Sequence, residues 1–153
     1  MRNGERGFTL IELMTVVIVV GVLAAIALAN YKSMQDQARV GQVKSTMHIV
    51  QLATEEFATR NNGIYPSGPA QLAAEGAMTL SGLLPGSAMP ENPFTNAATT
   101  LDWSNVAGTL PATDPAGGIC LNVPPNASGT FDRYEILGMN GENLQLALVL
   151  SNH

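Results

Sequence analysis

The sequence has 153 residues and a formal net charge of −5, with 7 basic and 12 acidic side chains and one cysteine. Proteins that bind nucleic acid neutralise phosphates with an excess of Lys and Arg, so this acidic composition argues against a nucleic-acid partner. A single cysteine cannot form an intramolecular disulfide. The length is sufficient for one globular domain in addition to a membrane helix.

The first predicted element is an apolar, membrane-spanning helix over residues 8–30. Up to residue 29 it contains only three polar side chains, those of Thr9, Glu12 and Thr15. As a helix this stretch is about 33 Å long, which matches the roughly 30 Å hydrocarbon core of a bilayer. Glu12 stands out because a carboxylate costs about 2.5–3.5 kcal/mol at the centre of a membrane helix and less near an end. Such a residue usually pairs with a cation.

A short basic segment with Arg2 and Arg6 precedes this helix, and Gly7 lies directly before Phe8. The run Gly-Phe-Thr-Leu-Ile-Glu-Leu resembles the class III signal of type IV prepilins and type II secretion pseudopilins. The resemblance implies that a prepilin peptidase removes residues 1–7 by cutting between Gly7 and Phe8, and methylates the new amine of Phe8. It also implies that Glu12 neutralises the amine of a neighbouring subunit during filament assembly.

An ordinary secretory signal peptide is the alternative interpretation of the N-terminus. Arg2 and Arg6 would form its basic region, and Ala27-Leu28-Ala29 fits the small-x-small cleavage pattern that would release a soluble domain. However, an ordinary signal has an apolar region of about 7–15 residues without an internal carboxylate. The longer run and its glutamate therefore favour the prepilin signal over this alternative and over a plain single-pass anchor.

The helix is predicted to continue from residue 31 to about residue 60 as the first part of a globular domain, residues 31–153. This segment contains no proline and only one glycine, Gly41. Its apolar residues recur with helical spacing and form one stripe: Val40, Val43, Met47, Val50 and Phe57. Asn61-Asn62-Gly63 is predicted to end the helix, because Asn and Gly tolerate the left-handed cap conformation.

Ala29 stands where the pilin family usually has a proline, in the run Ala27-Leu28-Ala29-Asn30-Tyr31. Proline within a helix costs about 3 kcal/mol relative to alanine, whereas the glycine at position 21 costs only about 1 kcal/mol. The sequence therefore predicts an uninterrupted helix from Gly21 to Tyr31 in the isolated subunit.

Residues 61–118 are predicted to form mainly loop, with at most one short strand, because prolines interrupt the second half of this region. Pro90-Glu91-Asn92-Pro93-Phe94 is loosely similar to the Pro-x-Asp-Pro-Trp segment of the major pseudopilins, and the match is too loose to distinguish a pseudopilin from a pilin.

Residues 119–151 are predicted to form a small antiparallel sheet. Its segments are residues 119–123, 131–137 and 144–150, and Asn140-Gly141 predicts a two-residue hairpin turn between the last two. Four leucines alternate along the last segment and are expected to face the helical stripe: Leu144, Leu146, Leu148 and Leu150. The predicted fold is α+β and pilin-like, with one long helix laid across the sheet.

No nucleophile–base pair and no phosphate-binding glycine loop stands out, so neither catalysis, a metal nor a cofactor is predicted. The expected protein is a non-enzymatic subunit of a type IV pilus-like filament. It would lie in the bacterial inner membrane with the leader in the cytoplasm, in accord with the positive-inside bias, and with an exported C-terminal domain. The expected partners are further copies of the chain, prepilin peptidase, an assembly platform protein with its ATPase, and inner-membrane lipid. A type II secretion pseudopilin is the alternative, and a secreted soluble domain is the remote one.

Overall fold

The computed structural model describes residues 7–112 and 116–152. Most of the predicted leader, residues 1–6 with Arg2 and Arg6, lies outside the described residues. The elements in chain order are helix α1 (Leu10–Arg60), helix α2 (Leu80–Leu83), a 3-10 turn (Pro85–Ser87), and strands β1 (Leu101–Ser104), β2 (Ile119–Asn122), β3 (Glu135–Gly138) and β4 (Leu150–Ser151). The chain divides into two compact units between Gln37 and Ala38.

Helix α1 is continuous in hydrogen bonding through the segment from Gly21 to Tyr31, which confirms the prediction made from the missing proline. It ends at Arg60, where the sequence places the end. Asn62 and Gly63 take left-handed φ values of 56° and 79°, and the Gly63 N–H donates to the Ala58 carbonyl at 2.8 Å. This left-handed geometry therefore provides a hydrogen-bond donor for a backbone carbonyl of the last turn of the helix, as expected for an Asn-Gly cap.

The core of the second unit lies between α1 and the sheet. The predicted stripe is buried at Val43, Met47, Val50 and Phe57, each at most 1% exposed, together with apolar residues of β2 and β3. Gly138 of β3 lies directly beneath the helix, since a Cβ placed on it would be 2.7 Å from the Met47 sulfur. The missing side chain at position 138 thus allows α1 to approach the sheet closely.

The sheet has the order β1-β2-β3-β4 and is mixed. β2 pairs antiparallel with β3, and β3 with β4, whereas β1 runs parallel to β2 with Leu101 opposite Ile119. The strands within residues 119–151 are antiparallel as predicted. β1 adds a parallel edge strand from the region 61–118, where the sequence predicts mainly loop with at most one short strand and does not locate it. β1 is a four-residue strand, Leu-Asp-Trp-Ser, with every residue half-buried, so it carries no clean alternation.

A second loop-region feature fixes one end of the sheet. The buried Asn92 donates from Nδ2 to the Ala116 carbonyl at 2.8 Å and accepts from the Phe94 N–H at 2.9 Å. The Phe94 ring then lies against two glycines, since a Cβ would come within 2.7 Å of it at Gly117 and within 2.5 Å at Gly141. The segment Pro90–Phe94 therefore packs against the loop at Ala116 and Gly117 and the loop at Gly141, although its own sequence has no periodic pattern.

The predicted two-residue turn at Asn140-Gly141 is wrong. The connection spans residues 140–144: the Asn140 N–H donates to the Leu144 carbonyl at 2.9 Å, and Asn143 is left-handed with φ 62°. The Asn140 side chain accepts from the N–H groups of Glu142 and Leu144, at 2.9 and 2.8 Å. Asparagine stabilises this wider loop with its side chain, which competes with the tight turn that the dipeptide suggests.

The wider loop changes which leucines face the helix. Leu146 and Leu150 are buried, at 7% and 9% exposed, and Leu148 packs partly against the core. Leu144 is 58% exposed, so the prediction that all four leucines face the helix is wrong for this one.

We predict that Leu146→Asp and Leu144→Asp differ sharply in their effect on folding. Leu146→Asp places an unpaired charge in the core and should lower the free energy of unfolding by about 3 kcal/mol or more. Leu144→Asp should change it by no more than about 0.5 kcal/mol, because its side chain is already in water. Urea unfolding of both purified variants measures the difference, and equal destabilisation would contradict the observed register.

Candidate functional site

The predicted cleavage site lies just outside α1. Gly7, Phe8 and Thr9 are non-helical and exposed, and the helix begins at Leu10. A Cβ placed on Gly7 would meet no atom within 4 Å, and Gly7 does not have a left-handed φ. The fold of the described residues therefore does not require glycine at this position. A requirement for glycine would have to come from a protein that acts on the segment.

Glu12 and Thr9 form a capping box at the start of α1. The Thr9 N–H and the Thr9 hydroxyl both donate to Glu12 Oε2, at 3.0 and 2.8 Å. In return the Glu12 N–H points at Thr9 Oγ1 at 3.4 Å. This reciprocal arrangement of an N-cap threonine with a glutamate three residues later satisfies backbone donors that a helix N-terminus otherwise leaves open.

The third polar side chain of the apolar segment joins the same cluster. Thr15 Oγ1 donates to the Glu12 carbonyl at 2.9 Å. All three polar residues between residues 8 and 29 thus lie at the N-cap or in the first two turns of α1 and form one hydrogen-bonded cluster. Since an unpaired polar group is costly in hydrocarbon, this arrangement reduces the cost of placing Glu12 in a membrane.

The sequence motif predicts roles for Gly7, Phe8 and Glu12 but not the role of Thr9. The structure brings Glu12 together with Thr9, and Phe8 and Gly7 precede them along the chain. The signal was available, because Thr9-Leu10-Ile11-Glu12 before an apolar run is a capping-box pattern. The cleavage motif overlaps the same residues and obscures this pattern.

Beyond the cap, α1 contains a segment that is long and apolar enough to cross a membrane. Its large apolar side chains are exposed from Leu10 to Leu28, and none of the 18 most apolar residues is buried by the described part of the chain. Exposed apolar area of this extent requires lipid or other protein subunits around it.

The second unit offers little reactive chemistry in its described part. Cys120 is buried in β2, and burial, with smaller contributions from Asp102 and Glu135, raises the pKa of its thiol to about 12. A buried thiol of this kind is a poor nucleophile, because the thiolate is the reactive form. Among residues 7–112 and 116–152, no group of three or more His, Cys, Asp and Glu side chains is placed to share a metal ion.

We predict that Thr9→Val weakens the start of α1 and that Thr9→Ser does not. Valine keeps the size and branching of threonine but lacks the hydroxyl, and losing an N-cap hydroxyl costs about 1 kcal/mol. In detergent micelles the Leu13 amide, which bonds to the Thr9 carbonyl at 3.2 Å, should then exchange about fivefold faster by NMR. Unchanged exchange in Thr9→Val would show that the cap does not stabilise this turn.

Comparison with known proteins identifies the same N-terminal feature. Residues 2–28 match the family described as the prokaryotic N-terminal methylation motif. No solved structure matches the chain significantly.

Two curated relatives extend well beyond that motif. The type II secretion system core protein G of Pseudomonas aeruginosa is 32% identical over 143 residues, which cover 92% of this chain and 88% of that protein. The type IV major pilin protein PilE of Neisseria gonorrhoeae is 32% identical over 106 residues, or 69% of this chain and 62% of the pilin. The type IV major pilin protein PilA of Myxococcus xanthus is 42% identical, but over 53 residues.

The methylation motif, the long helix on a four-stranded sheet and the near-complete match to core protein G together identify the fold and the ancestry of the chain. Its relatives are structural proteins rather than enzymes. The chain belongs to the family of type IV pilins and type II secretion pseudopilins.

Proposed function

We propose that this protein is a pseudopilin of a type II secretion system, a subunit of a secretion filament rather than of a pilus. The observation that carries the proposal is the similarity to core protein G, which extends over 92% of this chain. The similarity to the gonococcal pilin covers 69% of the chain, and the similarity to the myxococcal pilin only 35%.

The sequence alone favours a pilus subunit, with a type II secretion pseudopilin as the alternative. The N-terminal motif does not distinguish the two classes, because pilins and pseudopilins share the same cleavage signal and apolar helix. The distinction depends on the globular unit from Ala38 onward, and the match to core protein G extends over most of that unit.

The N-terminus supports a two-step use of the chain. In the first step, the subunit enters the inner membrane through residues 8–30, with Arg2 and Arg6 in the cytoplasm and the globular unit exported. Prepilin peptidase then cuts between Gly7 and Phe8 and methylates the Phe8 amine. A non-helical, exposed segment at this bond, followed immediately by a capped helix, suits recognition by a protease.

In the second step, subunits leave the lipid and polymerise through α1 with the help of a platform protein and its ATPase. Both hydrogen bonds that the Glu12 carboxylate receives from Thr9 use Oε2. A carboxylate has acceptor sites on two oxygens, so its charge can also interact with the Phe8 amine of an adjacent subunit. This pairing neutralises two charges that would otherwise be buried separately in the filament core.

A type IV pilus subunit is the second candidate function, favoured by the similarity to the gonococcal pilin over 106 residues. It shares the processing and assembly steps and differs in the machinery that uses the filament. A test of processing therefore applies to both candidates, and a separate test of biological role distinguishes between them.

We predict that Gly7→Leu blocks processing and leaves the full-length precursor in the membrane. Because a Cβ added at Gly7 or at Gly21 would meet no atom within 4 Å, Gly21→Leu is a matched control that adds the same bulk elsewhere in the segment. Intact-mass spectrometry should find methylated Phe8 at the N-terminus of wild type and of the control. A chain that starts at Phe8 in Gly7→Leu would reject the cleavage assignment, and a chain that starts at Asn30 would indicate an ordinary signal peptide.

We predict that deleting the gene abolishes export of type II secretion substrates and leaves surface pili unchanged. Enzyme activity in the culture supernatant and pili in sheared fractions measure the two effects. Loss of pili with normal secretion would reject the pseudopilin proposal and favour a role as a pilus subunit.

The same strain tests Glu12 by complementation with Glu12→Gln. Glutamine keeps the acceptor oxygen of the capping box but removes the charge, so membrane insertion should persist while secretion is not restored. Full secretion with Glu12→Gln would reject the charge-pairing role.

A further inference from the structure

The C-terminal strand β4 has little backbone support. β1 and β3 each pair with β2 at four positions, whereas β4 pairs with β3 at only two, Glu135 with Ser151 and Ile136 with Leu150. The chain returns to the sheet at an isolated bridge between Met139 and Gln145, and residues 147–149 lie in no strand. Two paired positions at a sheet edge are marginal by themselves, so side chains must hold this segment in place.

Asn152 ties the end of the chain to two other segments. Its Oδ1 accepts from the Tyr134 N–H at 3.0 Å, while its Nδ2 donates to the Tyr65 hydroxyl at 3.1 Å and to the Asp132 carbonyl at 3.2 Å. The side chain thus uses both its donor and acceptor groups directly after β4.

Glu55 of α1 continues the network from the other side. Its Oε1 accepts from the Tyr134 hydroxyl at 2.7 Å, and its Oε2 accepts from the Tyr65 hydroxyl at 3.1 Å. The Tyr134 hydroxyl also accepts from Gln51 Nε2 at 3.2 Å. Hydrogen bonds to a carboxylate are among the stronger ones in proteins, so Glu55 is the strongest acceptor in this network.

The two phenols connect Glu55 to Asn152. Tyr65 and Tyr134 are 6% and 1% exposed, and their rings meet edge to face with centroids 4.9 Å apart. Burial, followed by the hydrogen bond to Glu55, raises the pKa of each phenol to about 12. Both phenols therefore remain protonated, and available as donors to Glu55, throughout the physiological pH range.

We propose that residues 145–152 form a strap that opens independently of the rest of the sheet, and that Glu55 holds it closed through Tyr65, Tyr134 and Asn152. This chain has a single cysteine, which is buried in β2, so no disulfide within the chain can fasten its C-terminal segment. The network performs the same fastening without a covalent bond. Its opening releases Leu146 and Leu150 but leaves the pairing of β1, β2 and β3 intact.

Hydrogen exchange of the full-length protein in detergent, followed by mass spectrometry, tests the strap. We compare Glu55→Gln, which keeps the shape but removes the charge, with Glu56→Gln, which alters an exposed neighbour that pairs with Arg60 at 2.6 Å. Peptides from residues 145–152 should exchange about tenfold faster or more in Glu55→Gln, since a lost charge-assisted hydrogen bond corresponds to that factor. Peptides from β2 should stay within about twofold of wild type in both variants.

Asn152→Ala provides a second variant at the far end of the network, away from the helix. It should also accelerate exchange of the strap selectively, and the Glu55→Gln, Asn152→Ala double variant should add little, because the two residues act through the same contacts. Unchanged exchange of residues 145–152 in Asn152→Ala would overturn the proposal. Equal acceleration of β2 and the strap would overturn it too, because the strap would then open only with the whole domain.

Discussion

Val43, Met47, Val50 and Phe57 project from one face of α1 into the space above β2 and β3, and the globular unit depends on this burial. Removing each such side chain from water contributes about 1.5–3 kcal/mol, which short strands of two to four residues could not supply through their own pairing. Gly138 brings β3 close beneath Met47, so the helix and the sheet share one continuous core. The strands, the loops joined by Phe94 and the C-terminal strap are all arranged around that contact.

The same helix presents a different surface before Gln37. From Leu10 to Leu28 its large apolar side chains are exposed, and its polar groups are confined to the first two turns. In the globular unit, polar side chains such as Glu55 bond to residues distant in sequence, whereas within the described residues the side chains of Thr9, Glu12 and Thr15 bond to groups of this same cluster. A segment with such local polar contacts can exchange lipid for protein surroundings without losing the hydrogen bonds within it.

The two polar clusters illustrate different uses of a glutamate on one helix. Glu12 satisfies the helix start, and in the proposed filament its charge is available to another subunit. Glu55 is engaged within its own domain, where two buried tyrosines donate to it. A carboxylate that receives several hydrogen bonds can be accommodated away from water, and both sites meet that requirement with neighbouring hydroxyl groups.

The sequence by itself determined the features that depend on local periodicity and local chemistry. The long helix that ends at Arg60, its buried stripe and its Asn-Gly cap follow from apolar spacing and cap residues, whereas its start at Leu10, two residues after the predicted start at Phe8, does not. Only the tertiary structure decided the parallel strand β1, the five-residue loop at Asn140–Leu144 and the exposure of Leu144. The strand is too short to show a pattern, and the loop and the register depend on contacts such as those of Phe94 with Gly141. Likewise, no local pattern joins Glu55, Tyr65, Tyr134 and Asn152, because only folding brings positions up to 87 residues apart into hydrogen-bond contact.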